Sequence, residues 1–285
     1  MKIGVAMAFS QHTDPEHIAY CARTLEEAGF YSIWAPEHVV FFDDYASSYP
    51  YSDSGRIPGE PDGLLDPFTS LTYVAAHTSS LRLGTGICLV PQRQPVYTAK
   101  MVADLDFLSR GRVDFGVGIG WLKEEFEALG VPWARRGARC NDAIDAMKAL
   151  WQPGLASHQG EFFHFENCHF NPKPVQSPHP PIFFGGESEA ALRRVTTHGD
   201  GWYGFDLDPA GVAEKLGHLD RMLADAGRKR EDLQIVVGPN SHPVTPDTVN
   251  QYRDLGVEQL VIPMLASRPE KLERRIDKVR TATGM

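Results

Sequence analysis

Gln259-Leu260-Val261-Ile262-Pro263-Met264 is a continuous apolar run with a helical pattern directly behind it. A strand covered on both faces reads this way, as strands of parallel sheets do. Ser267 and Glu270 are spaced as a capping box around Pro269, and Leu272, Ile276 and Val279 then recur on one face. The other strand runs are 2–7, 32–37, 82–90, 113–119, 182–186, 201–205 and 234–239, with helical patterns between them. The first helix has Asp14 as N-cap, Pro15 at its first position, Ile18, Ala22 and Leu25 on one face, and Gly29 as its stop. A doubly wound open sheet usually has fewer strands and needs no eighth, so 259–264 is the deciding segment. Eight strand–helix units in about 250–300 residues predict an α/β chain, a (β/α)8 TIM barrel, with 1–285 as a single domain.

Two insertions break the rhythm. Residues 38–65 follow the second strand and hold Asp43, Asp44, Tyr45, Tyr49, Pro50, Tyr51, Gly55, Pro58, Gly59 and Gly63. A loop after a barrel strand stands on the C-terminal face, where sites are built, so it reads as a lid or as a plain surface loop. Residues 152–181 precede the fifth strand, and 159–165 has the pattern of a small hairpin. That insertion belongs to the opposite face, so His158, His164 and His169 read as structural.

Composition limits the partners. A hydrophobic fraction of 42% and a charged fraction of 23% fit a soluble globule. A net charge of −9 argues against nucleic-acid phosphates and anionic membranes. No apolar run nears the roughly 20 residues that span a bilayer. The chain opens on a strand-like run, Lys2–Met7, with no leader pattern, so a cytoplasmic protein is expected. Cys21, Cys88, Cys140 and Cys168 form no CxxC pair, which fits a reduced compartment without disulfides. Gly 26 and Pro 21 make up about a sixth of the chain, against a usual ~12%.

The familiar nucleotide and hydrolase signatures are missing: no GxGxxG follows a strand, and no P-loop, HExxH or GxSxG occurs. His12 stands alone after the first strand, so no metal site is expected. The strand ends carry the chemistry instead. Glu37-His38 places a carboxylate beside an imidazole at the C-terminal rim, an acid/base arrangement. Equally, Glu37 could pair with a basic group while His38 merely starts the loop. Gly84 and Gly86 in the third strand, and Gly116, Gly118 and Gly120 in the fourth, leave one side without side chains. This gives clearance for a flat ligand walled by Trp121, or a tapering core that needs small residues. Gly185-Gly186-Glu187-Ser188 is a strand–turn–helix junction whose amides suit a phosphate, or whose serine simply caps. Trp202 reads as core. Arg93, Arg135, Arg136 and Arg139 could meet an anion or be solvated.

These segments, taken in order, resemble the bacterial luciferase-like flavin superfamily. The matching stretches are Leu83-Gly84-Thr85-Gly86, Leu105 to Arg112, Gly116 through Gly120-Trp121 to Glu125-Phe126, and Pro181-Ile182 with Gly185-Gly186 and Asp200-Gly201-Trp202. Trp34-x-x-Glu37-His38, Leu65-Asp66-Pro67-Phe68 and Pro91-Gln92-Arg93 look most like its coenzyme F420-dependent oxidoreductases. The resemblance implies an isoalloxazine-like ring at the C-terminal mouth, lined by Gly84, Thr85, Gly86, Ile87, Gly118, Gly120 and Trp121. It implies a bulge near Gly86-Ile87, often with a non-prolyl cis peptide, behind the ring. It further implies phosphate or tail contacts from Gly185, Gly186, Glu187 and Ser188, and a catalytic His38 assisted by Glu37. Related sugar-phosphate dehydrogenases carry a glutamate acid where this chain has Trp121, so that activity is not implied. The expectation is F420 hydride transfer to or from a small-molecule substrate by a homodimer. The alternatives are an FMN-dependent monooxygenase fed by a separate reductase, or a non-catalytic flavin-binding barrel.

Overall fold

The computed structural model describes residues 1–57 and 63–285. Pro58 and Gly59 of the first insertion lie outside the described residues. In chain order the elements are β1 (Lys2–Ala6), α1 (Pro15–Glu27), β2 (Ser32–Ala35), α2 (Pro67–Ala76), β3 (Arg82–Thr85), β4 (Cys88–Leu89), α3 (Pro95–Ser109), β5 (Val113–Gly118), α4 (Lys123–Ala128) and α5 (Arg136–Trp151). They continue with β6 (Ala156–Gln159), β7 (His164–Cys168), β8 (Ile182–Gly185), α6 (Glu189–His198), β9 (Gly201–Phe205), α7 (Pro209–Asp225), β10 (Gln234–Gly238), α8 (Pro246–Asp254), β11 (Gln259–Pro263) and α9 (Pro269–Thr283).

The eight expected strand runs close into one parallel ring, β1-β2-β3-β5-β8-β9-β10-β11 and back to β1. The register Gly4↔Val261 joins the last strand to the first, which is what an open sheet lacks. The run 82–90 divides at the cis Gly86–Ile87 peptide. Its halves, β3 and β4, both pair with β5, through Leu83↔Val113 and Cys88↔Val117, and serve as one barrel strand. The second insertion forms the expected hairpin, with β6 antiparallel to β7.

Local chemistry explains the helix starts. Asp14 accepts from the Glu16 amide at 2.7 Å, and Asp66 from the Thr69 amide at 2.9 Å, each with proline at the first helical position. The Ser267–Glu270 box does not form. Pro269 opens α9, so Arg268 occupies the cap position with no side-chain cap, and Ser267 sits one residue too early. Cys21, Cys88 and Cys140 are buried and free, Cys168 is half-buried and free, and burial pushes the Cys21 and Cys140 thiols up to about 12.

Two apolar layers hold the barrel. The outer one lies between strands and helices and includes Trp151, Phe115 and Trp202. The inner one plugs the ring with Trp34, Phe183, Tyr203, Val236 and Val261. Trp34 stacks on Tyr203 at 5.0 Å between centroids and meets the Phe183 edge at 5.6 Å. This plug corrects the reading of the strand glycines as clearance for a ligand. A methyl group at Gly84 or Gly116 would run into the Trp34 indole, and one at Gly118 into Ile87. These glycines make room for the protein's own side chains. No described helix is long and apolar enough to cross a membrane.

Candidate active site

The chain leaves β2 at Ala35 and runs through Pro36 into Glu37 and His38, whose side chains find different partners. Glu37 and His38 therefore part company. Glu37 is buried, accepts from the Leu89 amide at 2.5 Å and from Arg93 Nε at 2.6 Å. Arg93 also reaches Asp66 at 2.6 Å, so the guanidinium locks the β2 end to β4 and to the start of α2. This is the pairing alternative for Glu37, and it withdraws the carboxylate from the imidazole. Arg93 likewise meets protein carboxylates instead of an external anion.

His38 turns to Glu125, whose side chain is fully buried on α4. Its Nδ1 lies 3.0 Å from Glu125 Oε2. Glu125 also accepts from the Val39 amide at 2.6 Å and from Gln92 Nε2 at 2.9 Å. Burial pushes this carboxyl up, but the hydrogen bonds from His38, Gln92 and Val39 outweigh it and hold it below the ordinary carboxylate range. An ionised acceptor at Nδ1 calls for a proton there. Trp121 Nε1, which can only donate, approaches Nε2 at 3.4 Å. The network therefore assigns the Nδ1–H tautomer, with the Nε2 lone pair toward the mouth.

The described part of 38–65 lies over the mouth as a lid. Phe41 packs on His38 at 4.8 Å, and Tyr49 and Tyr45 meet Trp121 edge-on at 5.2 and 5.6 Å. Glu124 fastens it by accepting from the Ala46 amide at 2.6 Å and the Ser47 hydroxyl at 2.7 Å. On the far side Tyr51 donates to Glu187 at 2.9 Å, and Glu187 also accepts from the Phe205 amide at 2.9 Å. Burial raises the Glu187 carboxyl, against the pull of those two donors.

Beneath the lid, the Ile87 side chain lies between Gly118 and Gly185 and joins the rim of the inner plug. At the end of β8, Gly186 takes φ +102°, a conformation that favours glycine. Ser188 caps α6 by accepting from the Ala191 amide at 3.2 Å. Thr85 is turned into the wall, donating to the Gly116 carbonyl at 2.6 Å. Gly120 takes φ +75° beside Phe126, and its carbonyl faces Arg136 Nε at 3.4 Å. Arg135 pairs with Glu161, while Arg136 and Arg139 lie over Trp133 and Phe162. His158 is held by Asp142 at 2.7 Å, a structural role away from the mouth.

The structure thus brings together His38, Trp121, Ile87, Gly118 and Gly185 near the mouth and sets Glu37, Gly84 and Thr85 behind it. Glu125, Gln92, Tyr49 and Tyr51 stood in the sequence motifs and the candidate lid without a site role. Glu125 had one signal, an acid four residues beyond Trp121 on a short helix. Among the described residues no group of three or more histidine, cysteine or acidic side chains is placed to hold a metal ion.

A closed parallel barrel with a histidine–carboxylate pair and an aromatic lid at its C-terminal mouth has the form of a barrel oxidoreductase. The chain belongs to the luciferase-like monooxygenase family, whose model matches residues 1–280. The family comprises oxidoreductases and monooxygenases. The chain is 34% identical over 248 residues to uncharacterized protein Rv0953c of Mycobacterium tuberculosis (strain ATCC 25618 / H37Rv), covering 86% of each. The monooxygenase RslO1 from Streptomyces bottropensis matches with a TM-score of 0.77 at 22% identity, over 99% of this chain and 98% of that one. Coenzyme F420 dependent tetrahydromethanopterin reductase from Methanopyrus kandleri gives a TM-score of 0.65 at 18% identity, over 87% and 69%. At these identities the two solved structures speak to the fold alone.

Proposed function

We propose that the chain is an oxidoreductase that transfers a hydride between coenzyme F420 and a small organic substrate at the barrel mouth. The observation that carries the reading is the His38–Glu125 pair, with Nδ1 pinned at 3.0 Å and the Nε2 lone pair met, among the described residues, only by the long 3.4 Å contact from Trp121 Nε1. The residues fit such a group. Ile87 offers an apolar support, the Gly185–Ser188 turn offers amides and a hydroxyl, and the lid tyrosines offer a cover. Ile87 would support the ring, since Trp34 fills the barrel interior.

When bound, F420 supplies two-electron hydride chemistry at its ring. His38 Nε2 accepts the accompanying proton from the substrate in the oxidising direction, or, once it has taken a proton from solvent to form the imidazolium, delivers it in the reducing direction. Glu125 stabilises the imidazolium and keeps its orientation, and Glu37 with Arg93 fixes the backbone that carries His38. Trp121, Tyr45 and Tyr49 exclude water. Gly185, Gly186 and Ser188 hold the phosphate, and Glu187 is the lid's latch, released from Tyr51 as the cover opens.

Membership of the luciferase-like monooxygenase family over residues 1–280 supports a second reading, an FMN-dependent monooxygenase supplied with reduced flavin by a partner reductase. Anaerobic titration with F420 and FMN, followed by a substrate screen with the cofactor that binds, separates them. Tight FMN binding with no response to F420 would sink the first reading. Turnover that survives His38→Ala across the substrate panel would remove His38 from the mechanism.

A further inference from the structure

Across the mouth from the Gly185–Ser188 turn, the ends of β1 and β11 border a cleft of about 710 Å³ that α9 walls on one side. Its floor includes Met7, Phe9 and Met264, all buried, with the exposed Leu265 at the edge. Its wall carries Lys271, Arg274, Arg275 and Lys278, all exposed. The spacing of these four puts them on one helical face, where they are neighbours at three and four residues. Among the described residues no carboxylate lines the cleft and none of the four cations forms an ion pair. Glu273 of the same helix is turned to α1, where it accepts from Tyr20 at 2.7 Å.

A charged helix face is ordinarily just solvated. Here the cations repel one another at helical spacing, have no acidic partner among the described residues of a chain of net charge −9, and border an apolar floor. An amphiphilic anion satisfies both surfaces at once. We propose that this cleft binds the anionic end of the substrate, a carboxylate or phosphate carried on an apolar body. The proposal rests on the redox reading of the mouth. β1 stands four strands from β8 in either direction round the ring, so the cleft is diametrically opposite the turn assigned to the cofactor phosphate. One anion cannot serve both places. The cofactor takes the turn, and the cleft falls to the substrate.

The test uses the full chain and its Arg275→Glu/Lys278→Glu double variant, with dodecanoate and dodecan-1-ol as probes in calorimetric titration. Dodecanoate is expected to bind the parent at least tenfold more tightly than the alcohol, less so as salt rises. The variant should lose that preference while its melting temperature and its affinity for F420 or FMN stay unchanged. Equal affinity for the two probes, or equal dodecanoate binding by parent and variant, overturns the proposal. A variant that loses cofactor affinity but keeps dodecanoate assigns the cations to the cofactor tail and also overturns it. Dodecanoate binding needs no turnover. A parent that binds neither F420 nor FMN, yet loses dodecanoate on charge reversal, would refute the redox reading while supporting the anion cleft.

Discussion

Glu125→Gln is the substitution that probes the His38 network most directly. It keeps the size of a fully buried side chain and removes only its charge. One oxygen of Glu125 faces the Val39 amide, and the other faces two donors, His38 Nδ1 at 3.0 Å and Gln92 Nε2 at 2.9 Å. The glutamine must keep its oxygen on Val39, so its NH2 is set against both other donors. His38 can relieve the conflict by moving its proton to Nε2 and accepting at Nδ1, which gives up the long 3.4 Å contact from Trp121 Nε1–H. Gln92 Oε1 is buried without a partner among the described residues of the parent, so an amide flip turns it to the new NH2 and leaves Nε2 in its place; one Gln92 atom is unpaired before and after, and Tm should fall by no more than about 2–4 °C, the equivalent of ~1 kcal/mol. The flipped imidazole presents N–H where the parent presents a lone pair, and loss of general acid–base help costs about 10²–10⁴ in turnover. Histidine ¹⁵N NMR reads the tautomer without any substrate. An unchanged Nδ1–H signature in a folded Glu125→Gln protein would refute the argument. So would additive losses in His38→Ala/Glu125→Gln, because two residues acting as a unit should lose little more together than His38→Ala alone.

Three further outcomes follow from contacts around the site. Arg93→Gln strands the buried Glu37 carboxylate and should destabilise by about 3–5 kcal/mol in urea unfolding, far beyond a surface-charge effect. The Glu124 latch has a definite pH sign. Burial lifts its carboxyl, but the Ser47 hydroxyl and the Ala46 and Ser47 amides hold it at about 2, against an ordinary 4.5. Its hold on the lid is complete above about 4.5 and is lost as pH falls toward 2, so hydrogen-exchange protection of the Ala46 amide should drop across that window and stay flat above it. Gly116→Ala adds a methyl that meets both Trp34 and the Thr85 carbonyl, and should cost at least about 1–3 kcal/mol by thermal unfolding, whichever cofactor is present.

Strand runs and helix punctuation were legible because each is local. The apolar stretch 259–264 needs only its own residues to read as a doubly covered strand, and Asp14-Pro15 needs only its neighbours to start a helix. The errors arose where closure of the ring brings in a side chain from another strand. Alternating glycines in β3 and β5 announce missing side chains, but the occupant of the space is Trp34 of β2, and no pattern within those strands names it. Glu37-His38 looked like a pair because the residues are adjacent. Adjacent side chains can find different partners, and the imidazole's came from α4. The same logic applies to α9. Positions 271, 274, 275 and 278 disclose a basic face by helical spacing alone, yet a basic face without a floor binds nothing in particular. The β1–β11 register supplies that floor by carrying Met7 and Phe9, just beyond the first strand, to the foot of the last helix. A site at this seam needs both termini of the barrel, so any change that loosens the β1–β11 pairing should weaken anion binding before it disturbs His38.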